Sequence, residues 1–246
     1  MLATLDVHGP VATLTLNRPE ARNALSIELL GALHHRVDEL ARTPGVGVVV
    51  VTGAGACFCA GMDLKAVLGD ASAGAALLTS LAGLTLKVRS LPAVVLAKVN
   101  GAAIGGGCGL ACVCDLALTH DDAKLGFPEV DLGVCPAVVA PWLVRKIGTG
   151  RARAVLLRGG LMTGRDAAAI GIVDRSAGSR EELDTLAAET ADRLSKGGPM
   201  ALAATKGLLN EIDGSLDASL VMRGAELSAR VLAGEEAQQR LRSKIG

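Results

Sequence analysis

Aromatic side chains are scarce in this chain of 246 residues, which has no tyrosine, two phenylalanines and one tryptophan. Any core must therefore be built from alanine, valine and leucine, and the 50% share of hydrophobic residues suffices for one large domain. Neither sign of charge dominates, because 25 basic residues balance 25 acidic ones. The composition thus gives no reason to expect a nucleic acid or a membrane surface as a partner.

Sequence signatures of several protein classes are missing as well. The six cysteines form no Cys-x-x-Cys pair and the four histidines have no ligand spacing, which argues against a metal site. No Gly-x-Ser-x-Gly elbow and no Walker sequence occurs, so a serine hydrolase and a P-loop NTPase are disfavoured. No basic segment followed by an apolar stretch begins the chain, and its apolar runs are broken well short of a membrane span. We expect a cytoplasmic protein with reduced, buried thiols.

Two loops rich in glycine and alanine are the most informative features present. The apolar runs 48–51 and 93–99 predict strands, and each leads into such a loop and then into a helix start. The second loop contains Gly105-Gly106-Gly107, which allows the backbone to approach other groups closely. Backbone N–H groups at a helix N-terminus stabilise negative charge, so the two loops together could hold one oxyanion. Tight packing of a helix on a sheet is the alternative interpretation of these glycines.

The remaining pattern predicts a mixed α/β chain. The strand–loop–helix unit starts at Val48 and again at Val94, a spacing of about 46 residues that indicates a repeated β/α architecture. Residues 5–7 and 11–16 alternate like a β-hairpin, and Ser26 can cap a helix with one apolar face. Residues 65–90 are rich in small side chains and become helical from about residue 77, so they could form a mobile cover over a site.

The chain changes character after Gly178. Four helical patterns follow without any strand signal, and helices of this size cannot form a comfortable core by themselves. We therefore expect a core domain over residues 1–178 and a helical region over residues 179–246 that packs on the core and on neighbouring subunits.

Four motifs, in order, connect the chain to a known family. They are Asn17-Arg18-Pro19 with Asn23-Ala24-Leu25, then Cys59-Ala60-Gly61-Met62-Asp63-Leu64, then Asn100-Gly101 through Gly105-Gly106-Gly107, and then Phe127-Pro128-Glu129. Together they resemble the enoyl-CoA hydratase/isomerase family, the crotonase superfamily. The resemblance implies an α/β fold, a spiral of repeated ββα units whose C-terminal helices build homotrimers or dimers of trimers. It also implies an acyl-CoA substrate.

The resemblance assigns roles to particular residues. The backbone N–H groups of Met62 and Gly106 would form an oxyanion hole for the thioester oxygen, and each such donor is typically worth roughly 3 kcal/mol of barrier. Glu129 would be the acid/base group, with a pKa raised by apolar neighbours. No metal or redox cofactor is implied, because proton transfer at a thioester needs neither, and coenzyme A is part of the substrate. The other residues expected to contact the acyl-CoA are Ala60, Asp63, Leu64, Lys65 and Gly109.

One departure from the family pattern bears on the reaction. Two-carboxylate hydratases of the family carry a second glutamate where this chain has Gly109, and dienoyl-CoA isomerases carry acids there and at the place of Ala137. Gly109 and the segment 135–142 look more like single-glutamate, methylglutaconyl-type hydratases, in which Gly109 could make room for a branch or a substrate carboxylate. We expect hydration of a 2-enoyl-CoA, with branched or glutaconyl-type acyl groups included.

Two alternatives stay open. A 3-enoyl-CoA to 2-enoyl-CoA isomerase needs Glu129 alone, because one carboxylate can take and return the same proton. A catalytically weak scaffold or an RNA-binding relative is disfavoured, since the helix over residues 26–42 has Arg36 and Arg42 against three acids and Glu129 is retained.

Overall fold

The computed structural model describes residues 1–245, and the side chains of residues 1–244. Two sheets and their covering helices form the described part of the chain. The strands are β1 (Ala3–His8), β2 (Val11–Leu16), β3 (Val48–Gly53), β4 (Cys57–Cys59), β5 (Val94–Val99), β6 (Ala102–Ile104), β7 (Leu116–His120), β8 (Lys124–Gly126), β9 (Leu161–Thr163) and β10 (Arg175–Ala177). The helices are α1 (Ile27–Leu40), α2 (Leu64–Val67), α3 (Ala71–Ser90), α4 (Gly106–Val113), α5 (Ala140–Arg158), α6 (Gly164–Ile170), α7 (Arg180–Ser195), α8 (Pro199–Ile212), α9 (Ala218–Leu232) and α10 (Glu235–Ile245).

From β3 to β8 the strands alternate between the two sheets. The larger sheet has the order β1-β2-β3-β5-β7-β10, and the smaller sheet has the order β4-β6-β8-β9. A long strand is thus followed by a short one and then by helix, three times in succession from β3 onward. Val48 and Val94 lie opposite each other in parallel β3 and β5, so the repeat seen in the sequence becomes a lateral repeat in the sheet. This confirms the predicted spiral of ββα units.

Parallel pairing in the smaller sheet is what positions the site. Cys59 lies opposite Ala103, and Ile104 lies opposite Gly126. Parallel strands end at the same edge of a sheet, where ligand sites of α/β folds are found. The three loops that follow β4, β6 and β8 therefore meet at this edge.

The predicted helix cap at Ser26 is confirmed, and the predicted start of another helix was wrong. Ser26 caps α1, since its side chain accepts a hydrogen bond from the Leu29 N–H at 3.2 Å. Thr163 caps α6 in the same way through the Asp166 N–H. Helix α3, however, begins at Ala71 rather than near residue 77, because Asp70 caps it through the Ala73 N–H. Its alanine-rich first turns have good helix propensity, which the glycines in the sequence obscured.

Helix α3 also corrects the expectation about apolar runs. Within residues 1–245 it is the one helix long and apolar enough to satisfy the length and composition of a membrane span. It packs on α1 and α9, and Leu77, Leu81 and Leu84 are buried. The apolar character of α3 is therefore accounted for by packing inside the protein.

The C-terminal helices cover the core. Helix α7 buries Leu183, Ala187 and Ala191 against one face of the larger sheet, and the other face looks into the main core. Helix α9 packs along α3. Helix α8 is anchored by Lys206, whose buried Nζ lies 2.8 Å from Asp115 Oδ2 and donates to the Ala93 carbonyl at 2.9 Å.

Candidate active site

A cavity of about 140 Å³ opens at the edge where β4, β6 and β8 end. Its walls come from the three loops after these strands, from α3, from residues 132–139 and from α9. Of the residues assigned by resemblance, the ones that line it are Ala60, Met62, Leu64, Gly106 and Glu129. Segments far apart in the chain therefore converge on one small, mostly apolar space.

The two glycine-rich loops touch each other at the cavity. A Cβ atom on Gly61, whose φ is +87°, would lie 2.6 Å from the Ile104 carbonyl oxygen and 3.8 Å from the Gly106 nitrogen. The loop around Met62 is fixed by Leu25, whose N–H donates to the Gly61 carbonyl at 2.7 Å. Among residues 1–245, neither the Met62 N–H nor the Gly106 N–H donates a hydrogen bond to a protein acceptor. Unpaired N–H groups of this kind can receive an anionic oxygen.

The other two glycines of the triplet serve close packing. Gly105 has a φ of +54°, and a Cβ atom there would lie 2.7 Å from Glu129 Oε1. A Cβ atom on Gly107 would overlap the Cys59 carbonyl. Close packing thus accounts for Gly105 and Gly107, which bring the backbone against Glu129 and β4, and Gly106 lines the cavity.

Glu129 stands in a short 3₁₀ turn, Pro128–Leu132, directly after β8. The turn is held by its own backbone, because the Val134 N–H donates to the Glu129 carbonyl at 2.8 Å. Although part of the residue is exposed, Oε2 is buried and has no hydrogen-bond partner among the described residues. Burial raises the pKa of Glu129 to about 7, and its own backbone N–H opposes that shift. A carboxyl with this pKa can both accept and donate a proton near neutral pH.

The structure corrects the expectation for Gly109. This residue is fully surrounded and does not line the cavity. A Cβ atom on Gly109 would overlap the Val139 side chain, with 2.7 Å to Val139 Cβ. The room expected for a branch or a substrate carboxylate is therefore filled by Val139, which itself lines the cavity.

Asp63 and Lys65 also lie outside the cavity lining. The Asp63 carboxylate accepts a hydrogen bond from Arg18 Nη1 at 2.8 Å, which ties the first sequence motif to the second. Lys65 is exposed on α2, next to the loop that carries Met62. Asp63 thus has a structural partner, and Lys65 is free to meet a group outside the cavity.

Sequence reasoning missed several cavity residues. Ser228, on α9, is fully buried, donates to the Cys135 carbonyl at 2.7 Å and accepts from the Ala137 N–H at 3.1 Å. Cys135 is partly exposed at the cavity wall, whereas the other five thiols are buried as expected. No local signal marks Ser228, because a serine within an amphipathic helix is common and its partners lie more than 90 positions away. The other missed lining residues include Leu78, Leu81, Leu132, Val134, Pro136 and Val138.

Comparison with known proteins identifies the family of the chain. The sequence profile of the enoyl-CoA hydratase/isomerase family matches residues 6–231. The chain belongs to this family. A crystal structure of an enoyl-CoA hydratase from Mycobacterium avium superposes with a TM-score of 0.88 at 30% identity, covering 99% of this chain and 96% of that one. The fold is thus that of the crotonase superfamily.

Individual relatives are similar over most of their length. A protein of Thermus thermophilus, whose name gives enoyl-CoA hydratase as a provisional function, is 40% identical over 210 residues, which are 84% of this chain and 83% of the relative. The 2,3-dehydroadipyl-CoA hydratase of Escherichia coli is 33% identical over 202 residues, 82% of this chain and 78% of that protein. The similarity to enoyl-CoA hydratase/isomerase family members therefore extends over more than four fifths of this chain.

Proposed function

We propose that this enzyme adds water to a 2-enoyl-CoA and that Glu129 is its single acid/base group. The observation that carries the proposal is the buried Glu129 carboxyl, with a pKa near 7, in a cavity beside two unpaired backbone N–H groups. The family membership and the names of the relatives support a hydratase.

The chemistry needs one carboxylate and one oxyanion site. The thioester oxygen accepts hydrogen bonds from the N–H groups of Met62 and Gly106. The Glu129 carboxylate removes a proton from a water molecule, whose oxygen bonds to the β-carbon while the electrons of the double bond move into an enolate. The same carboxyl then delivers the proton to the α-carbon, and the thioester re-forms. All atoms of the water end in the product.

The coenzyme A portion lies outside the small cavity in this proposal. Ala60 and Leu64 flank the thioester end, and the exposed Lys65 ammonium meets a phosphate of coenzyme A. The proposed chemistry needs no metal ion or redox cofactor, because proton transfer at a thioester requires neither, and coenzyme A is part of the substrate.

An isomerase is the second candidate, and one observation favours it. Apart from Glu129, the polar side chains that line the described cavity are Cys135 and Ser228, and the Ser228 hydroxyl is already used by the backbone. A 3-enoyl-CoA to 2-enoyl-CoA shift needs no positioned water, so Glu129 alone suffices for it.

Turnover of crotonyl-CoA tests the proposal, followed as loss of the absorbance of the conjugated thioester. We expect Glu129→Gln to lower kcat by at least about 100-fold, because general acid–base catalysis contributes roughly that much or more. Glu189→Gln, an exposed residue on α7, is the matched control and should keep wild-type rates.

Each outcome separates the candidates. Formation of 3-hydroxybutyryl-CoA that Glu129→Gln abolishes supports the hydratase. No hydration, with conversion of 3-hexenoyl-CoA to 2-hexenoyl-CoA instead, would replace it with the isomerase.

A further inference from the structure

Apart from Glu129, the two backbone N–H groups of Met62 and Gly106, and the Cys135 and Ser228 side chains, the walls of the cavity are apolar. The side chains that form most of its surface are Leu78, Leu81, Leu132, Val134, Val138 and Val139. Among the described residues, no arginine, lysine or histidine lines it. The Ser228 hydroxyl is committed to backbone groups, so it offers no hydrogen bond to spare for an anion.

The cations on segments next to the cavity, Arg18, Lys65 and Arg240, do not line it. The Arg240 Nε lies 3.1 Å from Glu236 Oε1. The Arg240 side chain packs against Gly133, in the turn after Glu129, where a Cβ atom would lie 3.0 Å from Arg240 Cδ. Arg18 is paired with Asp63. Lys65 is exposed on α2. A carboxylate at the far end of an acyl group that enters the cavity would meet no cation among the lining residues, so the loss of any of its water there is uncompensated and unfavourable. It would also meet the charge of the Glu129 carboxylate.

The volume limits the acyl group as well. An apolar cavity of about 150 Å³ holds one benzene molecule, and the cavity of this enzyme is about 140 Å³. A group of about six carbon atoms would fill it. Val139 occupies the space that Gly109 leaves open, so no side pocket enlarges the cavity in that direction.

We infer that the acyl group this enzyme accepts is short and uncharged, and that acyl groups with a distal carboxylate are rejected. The inference rests on the proposed acyl-CoA function of the same cavity. It separates this enzyme from the relative named 2,3-dehydroadipyl-CoA hydratase, whose named substrate carries a distal carboxylate. It also opposes the glutaconyl-type substrate that the resemblance of residues 135–142 left open.

Binding of saturated acyl-CoA pairs tests the inference without requiring turnover. Valeryl-CoA and glutaryl-CoA have acyl chains of the same length, but valeryl-CoA ends in a methyl group and glutaryl-CoA ends in a carboxylate. Hexanoyl-CoA and adipyl-CoA form a second pair of the same kind. Isothermal titration of the wild-type enzyme should give Kd values at least about 30-fold lower for the methyl-ended member of each pair. Free coenzyme A supplies the baseline for the part outside the cavity.

The outcomes distinguish this inference from the proposed function. Equal affinity within each pair would overturn the inference, even if crotonyl-CoA is hydrated. The inference would also be overturned if valeryl-CoA bound no more tightly than free coenzyme A, because the acyl group would then lie outside the cavity. Discrimination in binding without turnover of any enoyl-CoA would support the inference while contradicting the proposed hydratase.

A variant separates size from charge. Val139→Ala enlarges the cavity without adding a cation, so the affinity for a branched acyl-CoA such as 3-methylvaleryl-CoA should rise relative to valeryl-CoA. The discrimination against glutaryl-CoA should stay. If Val139→Ala instead admits glutaryl-CoA as well as valeryl-CoA, volume rather than charge decides, and the inference is wrong in its charge component.

Discussion

At the scale of single residues, Glu129 and Gly105 form one unit. The carboxyl can reach the buried end of the turn only because Gly105 has no side chain, since a Cβ there would lie 2.7 Å from Oε1. The positive φ of Gly105 adds a second reason for glycine. Burial that suits Glu129 to proton transfer also opposes its ionisation, so reactivity and stability compete at this residue.

Stability should therefore depend on pH through Glu129. A carboxyl with a raised pKa binds its proton more tightly in the folded state than in the unfolded state. The free energy of unfolding must then fall as pH rises from about 4.5 to above 7, by an amount on the order of 3 kcal/mol at about 1.4 kcal/mol per pKa unit. Glu129→Gln removes this titration and should be more stable than wild type at pH 8, with a Tm higher by several degrees.

The measurement is thermal unfolding of both proteins between pH 4.5 and 8.5. Glu189→Gln again serves as the control. Because Glu189 is exposed, the Tm difference between this variant and wild type should stay constant across the pH range. A Tm difference for Glu129→Gln that does not grow with pH would contradict the raised pKa.

At the scale of elements, α9 joins opposite walls of the cavity. One turn apart, Gly224 and Ser228 hold the segment after Cys135, since a Cβ on Gly224 would overlap the Ala137 carbonyl. Further along the helix, Leu232 lies against α3, where a Cβ on Gly74 would be 2.8 Å from its Cδ2. A C-terminal helix thus determines how far the α3 wall stands from the wall that carries Val139.

Ser228→Ala tests this positioning role. Loss of the hydroxyl leaves the Cys135 carbonyl and the Ala137 N–H unpaired, which should destabilise the fold by about 1–3 kcal/mol. Because the wall moves while Glu129 is untouched, KM for crotonyl-CoA should rise more than kcat falls. Ser228→Thr keeps the hydroxyl, so its KM should lie between the values of Ser228→Ala and the wild type.

The control is Ser219→Ala, an exposed serine on the same helix, which should leave KM unchanged. A fall in kcat at constant KM would instead place Ser228 in the chemistry, and wild-type kinetics with reduced stability would make it purely structural.

At the scale of the whole molecule, α8 and α9 expose more apolar surface than the core helices. Met200 is 86% exposed and Ile212 is 73% exposed. Large exposed apolar patches mark interaction surfaces. The other exposed members of this surface are Leu208, Leu209, Leu216, Leu220 and Leu227. We propose that these helices meet neighbouring subunits in a homotrimer or a dimer of trimers, as the family resemblance implies.

The mass of the protein in solution checks the assembly. Light scattering after size exclusion should give three or six times the 24.9 kDa of one chain. The pair Leu209→Glu and Ile212→Asp should dissociate it, because charges buried in an apolar interface are strongly unfavourable. Val7→Glu, at an exposed position on β1, is the control and should leave the mass unchanged. A monomeric wild-type protein would contradict the proposed assembly.

The cytoplasmic location stays a prediction.

Much of this enzyme could be predicted from local pattern and motif order. The strands predicted over residues 48–51 and 93–99, the cap at Ser26 and the four C-terminal helices follow from short stretches of chain. The choice of Glu129 came from the family resemblance that the order of the motifs carries. Local capping, periodicity and turn chemistry need only neighbouring residues, so they can be recognised before the fold is known.

The tertiary structure alone decided what surrounds Glu129. Arg18 and Asp63, 45 positions apart, form an ion pair, and Ser228 holds a segment 91 to 93 positions away. Val139 fills the space beside Gly109, where the sequence predicted room for a branch or a substrate carboxylate. Close packing depends on which distant side chains meet, and one methyl group is enough to close a space. The shape and polarity of the cavity, and with them the acyl group it admits, therefore emerge only when the chain is folded.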